Sequence, residues 1–133
     1  MYTIKQITEL TGVSGYTLRF YDKEGLFPNL ARDGVGRRAF SDADLHSLRT
    51  IMALRDMGLS IAQIREFVEA GRGAGTLAKR GEIIAEGIER AKAELEEAKR
   101  RIALLSRAAS YYEAALTQSG GACGTAQAAT MAA

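Results

Sequence analysis

The chain has 133 residues, 47% of them hydrophobic and 26% charged, a globular composition with room for one modest domain and an extension. Eighteen Lys and Arg against 16 Asp and Glu leave a formal charge of only +2, so attraction to nucleic acid has to come from how the cations are distributed, not from their total. The single cysteine, Cys123, excludes an internal disulfide and a multi-cysteine metal cluster within one chain; with no apolar run long enough to span a membrane and no signal-peptide core at the N-terminus, the expected location is the cytoplasm.

Thr3 is placed to cap a first helix over about residues 4 to 11. Gln6 completes a capping-box pattern, and Ile4, Ile7 and Leu10 share one face. Gly12 ends that helix, Ser14 caps a second over about residues 15 to 24, and Gly25 stops it. Two short helices around a glycine-containing turn have the spacing of a helix-turn-helix. The second helix carries Tyr16, Thr17, Arg19, Phe20 and Tyr21 and is the candidate recognition helix.

From Leu26 to Phe40 the pattern changes. Phe27-Pro28 forbids helix continuation, and Asp33-Gly34-Val35-Gly36 is turn chemistry followed by Arg37 and Arg38, which predicts a short hairpin or wing. Arg19, Lys23, Arg32, Arg37 and Arg38 outnumber Asp22, Glu24 and Asp33, so this stretch is locally basic. Ser41 caps a third helix, with Asp42 and Asp44 in its positive first turn and a buried stripe of Leu45, Leu48, Ile51, Met52 and Leu54 running toward Gly58. Ser60 starts a fourth helix whose Ile61, Ile64, Phe67 and Val68 face inward, ending at Gly71.

Residues 71 to 75 are a glycine-rich linker. Beyond them the apolar positions run Leu77, Ile84, Ile88, Ala91, Leu95, Ala98, Ile102, Leu105, Ala109, Tyr112 and Leu116, alternating spacings of four and three from Ile84 onward. This is a heptad seam on a helix about 60 Å long at the usual rise per residue. The domain before it is too small to bury such a seam, so a second copy of the chain is the expected partner, while Gly81 and Gly87 are expected to weaken the first turns. The organisation expected is a DNA-binding domain over 1 to 70, a linker over 71 to 75, a dimerisation helix over 76 to 116 and an uncharged, disordered tail over 117 to 133.

The residues Thr11-Gly12-Val13-Ser14, Thr17-Leu18-Arg19-Phe20-Tyr21-Asp22, Gly25-Leu26, Pro28, Gly36-Arg37-Arg38-Ala39-Phe40, Asp44-Leu45, Leu54-Arg55 and Gly58-Leu59-Ser60 together resemble the MerR family of bacterial transcription regulators, over roughly residues 2 to 70. The resemblance implies a mainly α fold, a winged helix-turn-helix followed by a long helix that forms an antiparallel coiled coil in a homodimer. It also implies binding to a pseudo-palindromic promoter operator, whose distortion lets RNA polymerase use the promoter. Arg19, Phe20 and Tyr21 match the arginine and two tyrosines of the family's recognition-helix signature, and Arg38 matches the arginine of its wing. Tyr16 stands where a basic residue is common, and Arg37 replaces a wing tyrosine. The chain resembles a small member, without the cysteine patterns of metal and redox sensors or the large effector domain of drug sensors.

Ser14, Tyr16, Thr17, Arg19, Tyr21, Arg37 and Arg38 are the candidate DNA-binding residues. Guanidinium groups read guanine or neutralise phosphate, although Arg19 has Asp22 and Glu24 nearby as alternative ion-pair partners. Phe20 and Tyr21 are adjacent and cannot share a helix face; Tyr21 is favoured as the phosphate contact because its hydroxyl can donate, against a core ring as the alternative. Met52, Met57, Phe67, Tyr111 and Tyr112 are candidate linings of a pocket for a small apolar effector at the dimer junction, with ordinary interface packing as the competing explanation. His46 stands alone and Cys123 has no neighbouring acid or base, so neither predicts a metal site or a sensor. No cofactor is expected. No nucleophile with a base, metal-ligand spacing or phosphate loop marks an enzyme; the competing function is a coiled-coil interaction module with an architectural DNA-binding half.

Overall fold

The computed structural model describes residues 1–71, 73 and 75–119, in the order α1 Ile4–Thr11, α2 Gly15–Lys23, β1 Ala31–Arg32, β2 Arg38–Ala39, α3 Asp42–Asp56, α4 Ile61–Ala70 and α5 Thr76–Ser119. Cys123 and residues 120 to 133, where the tail is expected, lie outside the described residues, as do Arg72 and Ala74 of the linker.

Local capping sets the helix boundaries. Thr3 accepts from the Gln6 N–H at 3.2 Å while the Gln6 side chain accepts from the Thr3 N–H at 2.8 Å, so two donors that a helix start leaves unsatisfied are paired with each other's side chains. The same reciprocal box recurs at Ser41 with Asp44 and at Ser60 with Gln63. Gly12 closes α1 in the left-handed conformation at φ 77°, donating its N–H to the Thr8 carbonyl at 2.8 Å, a geometry that favours glycine.

The wing is a two-stranded antiparallel ladder in which Ala31 faces Ala39 and Arg32 faces Arg38. Its second strand also reaches the N-terminus: Tyr2 and Phe40 exchange backbone hydrogen bonds of 2.7 and 2.8 Å. The wing is therefore tied to the start of α1, a link that no local pattern in the sequence announces.

The core gathers Ile7, Leu18, Tyr21, Leu26, Phe27, Phe40, Leu45, Leu48, Ile51, Leu54, Leu59, Ile64 and Ile83. Phe27 and Phe40 meet edge to face at 5.5 Å between ring centroids, a favoured aromatic geometry. Each fully buried Leu, Ile or Phe contributes about 1.5 to 3 kcal/mol relative to exposure. Leu10 departs from the expected apolar face of α1 and is exposed, because the face is set by Ile7 and half-buried Ile4. Met52 is only half-buried.

The chain divides into two units, Met1–Ile88 and Glu89–Ala133. The first includes the opening turns of α5, which add to the core a residue outside the expected seam. Ile83, not its neighbour Ile84, is the fully buried residue, and Leu77 is exposed. A Cβ on Gly87 would stand 2.9 Å from the Leu59 side chain, so Gly87 makes room for close packing in addition to its expected cost in helix propensity. Arg80 stacks on the Phe67 ring at 4.4 Å and donates its Nε–H to the Phe67 carbonyl at 3.2 Å. In the second unit Leu95, Ile102, Leu105, Tyr112 and Leu116 are exposed along α5. No helix among the described residues is long and apolar enough to cross a membrane.

Candidate nucleic-acid interface

Ser14 initiates the recognition helix: its hydroxyl accepts from the Thr17 N–H at 3.1 Å and lies 3.0 Å from the Thr17 hydroxyl. Capping occupies both side chains, so at this site Ser14 and Thr17 first serve to fix where α2 begins. Tyr16, the second residue of the helix, is 81% exposed, an aromatic side chain held out from the protein at the end where this class of motif reaches base edges.

The α2 helix buries Leu18 and Tyr21, three residues apart and so on one face. This corrects the expected division of labour between the two rings. Tyr21 is 8% exposed and belongs to the core, whereas Phe20 is 40% exposed. Core packing selects the face that Leu18 defines, and Phe20 falls on the face of Tyr16, four residues earlier.

A cleft of about 770 Å³ separates the two helices of the motif from the wing. Its cationic lining is Lys5 from α1, Arg19 from α2, and Arg32, Arg37 and Arg38 from the wing, against Glu9 as the lining carboxylate. Arg19 makes no ion pair among the described residues, so neither Asp22 nor Glu24 takes it up. Its guanidinium folds back over Gly15, 3.2 Å from where a Cβ would stand. Gly15 thus permits both this conformation and the approach of Ile4, whose side chain would meet the same Cβ at 3.1 Å.

The wing arginines are both paired, in different settings. Arg37 meets Asp33 at 3.1 Å with 78% of its side chain exposed, a pair that contributes little in water and exchanges readily for a phosphate. Asp33 also accepts from the Arg37 N–H at 2.9 Å and the Val35 N–H at 3.0 Å. These bonds, that from the Arg37 backbone first, hold its carboxyl below the ordinary aspartate range. Arg38 is 21% exposed and donates its Nε–H to Asp22 at 2.6 Å, and Arg32 approaches the same carboxylate oxygen at 3.8 Å. Asp22 and Asp33 do not line the cleft; the arginines they pair with do.

Sequence patterns do not single out Lys5, Gly15, Arg32 and Asp22 as members of the site. Lys5 and Arg32 enter through the tertiary approach of α1 and the wing, which spacing along the chain does not encode. Gly15 carries one available signal, a helix-weakening residue at the first position of the recognition helix.

Phe67 lines a cavity of about 430 Å³ together with Leu26, Phe27, His46, Val68 and Arg80, and neither Met52 nor Met57 lines it. Met57 is exposed at the end of α3. Tyr111 and Tyr112, in the second unit, pack edge to face with 5.2 Å between centroids. Among the described residues no group of three or more His, Cys, Asp and Glu is arranged to hold a metal ion.

A helix-turn-helix with an exposed recognition face, a hairpin wing and a basic cleft between them defines the winged helix-turn-helix class of DNA-binding proteins. The chain belongs to the MerR HTH family of regulatory proteins, whose family model matches residues 2–71. It is 38% identical over 115 residues to an uncharacterised HTH-type transcriptional regulator of Haemophilus influenzae, covering 86% of this chain and 85% of that protein. It is also 38% identical over 71 residues to the uncharacterised HTH-type transcriptional regulator YyaN of Bacillus subtilis, covering 53% of this chain and 51% of that one. Among solved structures it resembles that of HiNmlR, a MerR family regulator lacking the sensor domain, bound to promoter DNA, with 37% identity, a TM-score of 0.63 and coverage of 88% of this chain and 94% of the other. These relatives are regulators of transcription, and the chain is a regulator, not an enzyme.

Proposed function

We propose that this regulator binds double-stranded promoter DNA as a homodimer, each protomer laying α2 against the base edges of one half of a pseudo-palindrome while the wing grips the flanking backbone. The observation that carries the reading is the cleft whose cations come from α1, α2 and the wing at once. A net charge of +2 gives weak attraction when spread over the surface, whereas several cations on one concave face form a local footprint for phosphates. The solved relative bound to promoter DNA supports the same partner.

Dimerisation rests on the apolar seam of α5, over the expected dimerisation segment 76 to 116. Leu95, Ile102, Leu105 and Leu116 are exposed on a 44-residue helix, and a second copy in antiparallel register would bury them. Two recognition helices fixed in this way act on one face of the duplex and distort it, bringing the promoter into a form RNA polymerase can use. Promoter binding places the protein in the cytoplasm. If a small apolar effector acts, the dimer junction where Tyr111 and Tyr112 of one protomer approach Met52, Met57 and Phe67 of its partner is the site to probe.

A mobility-shift assay on the promoter region of the chain's own gene tests the reading. Wild-type protein is expected to give a discrete shift that Arg19→Ala and Arg38→Ala each weaken. Wild-type binding no stronger than that of the double variant would refute it.

A further inference from the structure

The recognition helix ends in two carboxylates that point to different neighbours. Glu24 takes Arg65 of α4, which also donates its Nε–H to the Glu24 carbonyl at 2.7 Å. Asp22 takes the wing, through Arg38 at 2.6 Å and Arg32 at 3.8 Å. Arg32 and Arg38 face each other across the hairpin, so one carboxylate oxygen draws both strands of the wing to one point on α2.

We propose that Asp22 is a positioning residue for DNA binding, a latch that joins the wing to the recognition helix and aims Arg38 at the phosphate backbone. The inference rests on the DNA-binding reading above. Arg38 engages Asp22 side-on through Nε, which uses one of the five guanidinium donors and leaves the four on the terminal nitrogens. Arg38 lines the cleft and Asp22 does not, so the cation faces the ligand side with its counter-charge behind it. Asp22 follows Arg19 by three residues and Gly15 by seven, which puts all three along one side of α2. The side chains of Asp22 and Arg38 are 18% and 21% exposed, so the pair is less screened than the Arg37–Asp33 pair at the wing tip and holds its geometry better. A lysine carries its three donors on one nitrogen at the end of a flexible stem, so it lacks the separate side-on Nε donor by which Arg38 holds Asp22 while its terminal nitrogens stay in a fixed direction.

This latch and simple charge counting predict opposite signs. Asp22→Asn removes a negative charge beside a polyanion, so charge alone gives tighter binding. The latch gives weaker binding, because Arg38 is released from its aim. The probe is the duplex that the full-length wild-type chain selects from a random-sequence pool, with affinity followed by fluorescence anisotropy across a salt series.

Asp22→Asn is expected to bind about tenfold more weakly, the scale of a lost charge-assisted hydrogen bond, with a salt slope shallower by about 0.9 for each phosphate that is no longer neutralised. Arg38→Lys, which keeps the charge on the half-buried second strand and serves if Asp22→Asn does not fold, is expected to show the same loss. In an Arg38→Ala background, Asp22→Asn is expected to add nothing. Binding by Asp22→Asn at wild-type strength or tighter, a wild-type Arg38→Lys, or effects of Asp22→Asn and Arg38→Ala that multiply would each overturn the latch. Selection of no duplex by the wild-type chain would instead overturn the DNA-binding reading on which it depends.

Discussion

The first unit and the later turns of α5 solve the problem of apolar surface in different ways. From Met1 to Ile88 the chain closes on itself: each of α1, α3 and α4 begins in a reciprocal capping box, and a single cluster runs from Ile7 to Ile83. From Glu89 onward the helix meets the same backbone requirements internally, yet Leu95, Ile102, Leu105 and Leu116 remain exposed. Its polar faces are laced with pairs such as Lys99 with Glu96 and Arg100 with Glu97, exposed pairs that lend a helix only weak support in water. Such local pairs do not explain a sustained apolar seam. The difference teaches that the first unit buries its apolar side chains within itself, whereas the second carries an apolar seam for which a second copy is the proposed cover.

The largest expected break falls in the closed half. Phe40→Ala removes a fully buried ring that packs on Phe27, in the residue that also ties the wing to Tyr2. It is expected to cost about 3 to 5 kcal/mol, a large share of a small domain's stability, read as a fall in the thermal midpoint by circular dichroism. Leu95→Asp combined with Ile102→Asp attacks the open half. Light scattering is expected to report a monomer, and affinity for a selected duplex is expected to fall about a hundredfold or more as the avidity of two half-sites is lost. An unchanged mass would mean that the seam serves some other contact.

A smaller effect separates the halves again. Ser60→Ala breaks the box at the start of α4 and is expected to cost about 1 kcal/mol, measurable by urea unfolding. The smallest concerns the wing tip. Asp33 has its carboxyl held below the ordinary range by donors from Arg37 and Val35, so its contribution to tip order is fully present above the unfolded aspartate pKa and is lost as pH falls through the lower folded value. Amide exchange at Val35 and Arg37 is expected to quicken, relative to its intrinsic rate, only under strong acidification. Loss of that protection already near neutral pH would contradict the assignment.

Much of the closed half is legible in the sequence because its signals are local. Ser14, Ser41 and Ser60 cap, Gly12 and Gly25 stop, and Asp33-Gly34-Val35-Gly36 turns, each within a few residues of what it controls. Three features are not legible for the opposite reason. The Tyr2–Phe40 bridge pairs distant residues through backbone atoms that every residue possesses. The choice between Phe20 and Tyr21 depends on the core, where Leu18 sets the inward face, and hydroxyl chemistry points the other way. Ile83 and Ile84 both fit a helical apolar face; the heptad rule selects Ile84, whereas the core beside Leu59 takes Ile83. Within the site, the cations are visible as residue types, but the cleft they share and the role of Asp22 emerge only when α1, α2 and the wing come together.

The central claim is that the closed half reads DNA in pairs arranged by the open one. Its most direct test is the mass of the complex between the full chain and a selected duplex, by sedimentation equilibrium at saturation. Two chains per duplex, formed without a populated one-chain complex, is the result expected. One chain per duplex at saturation would contradict it.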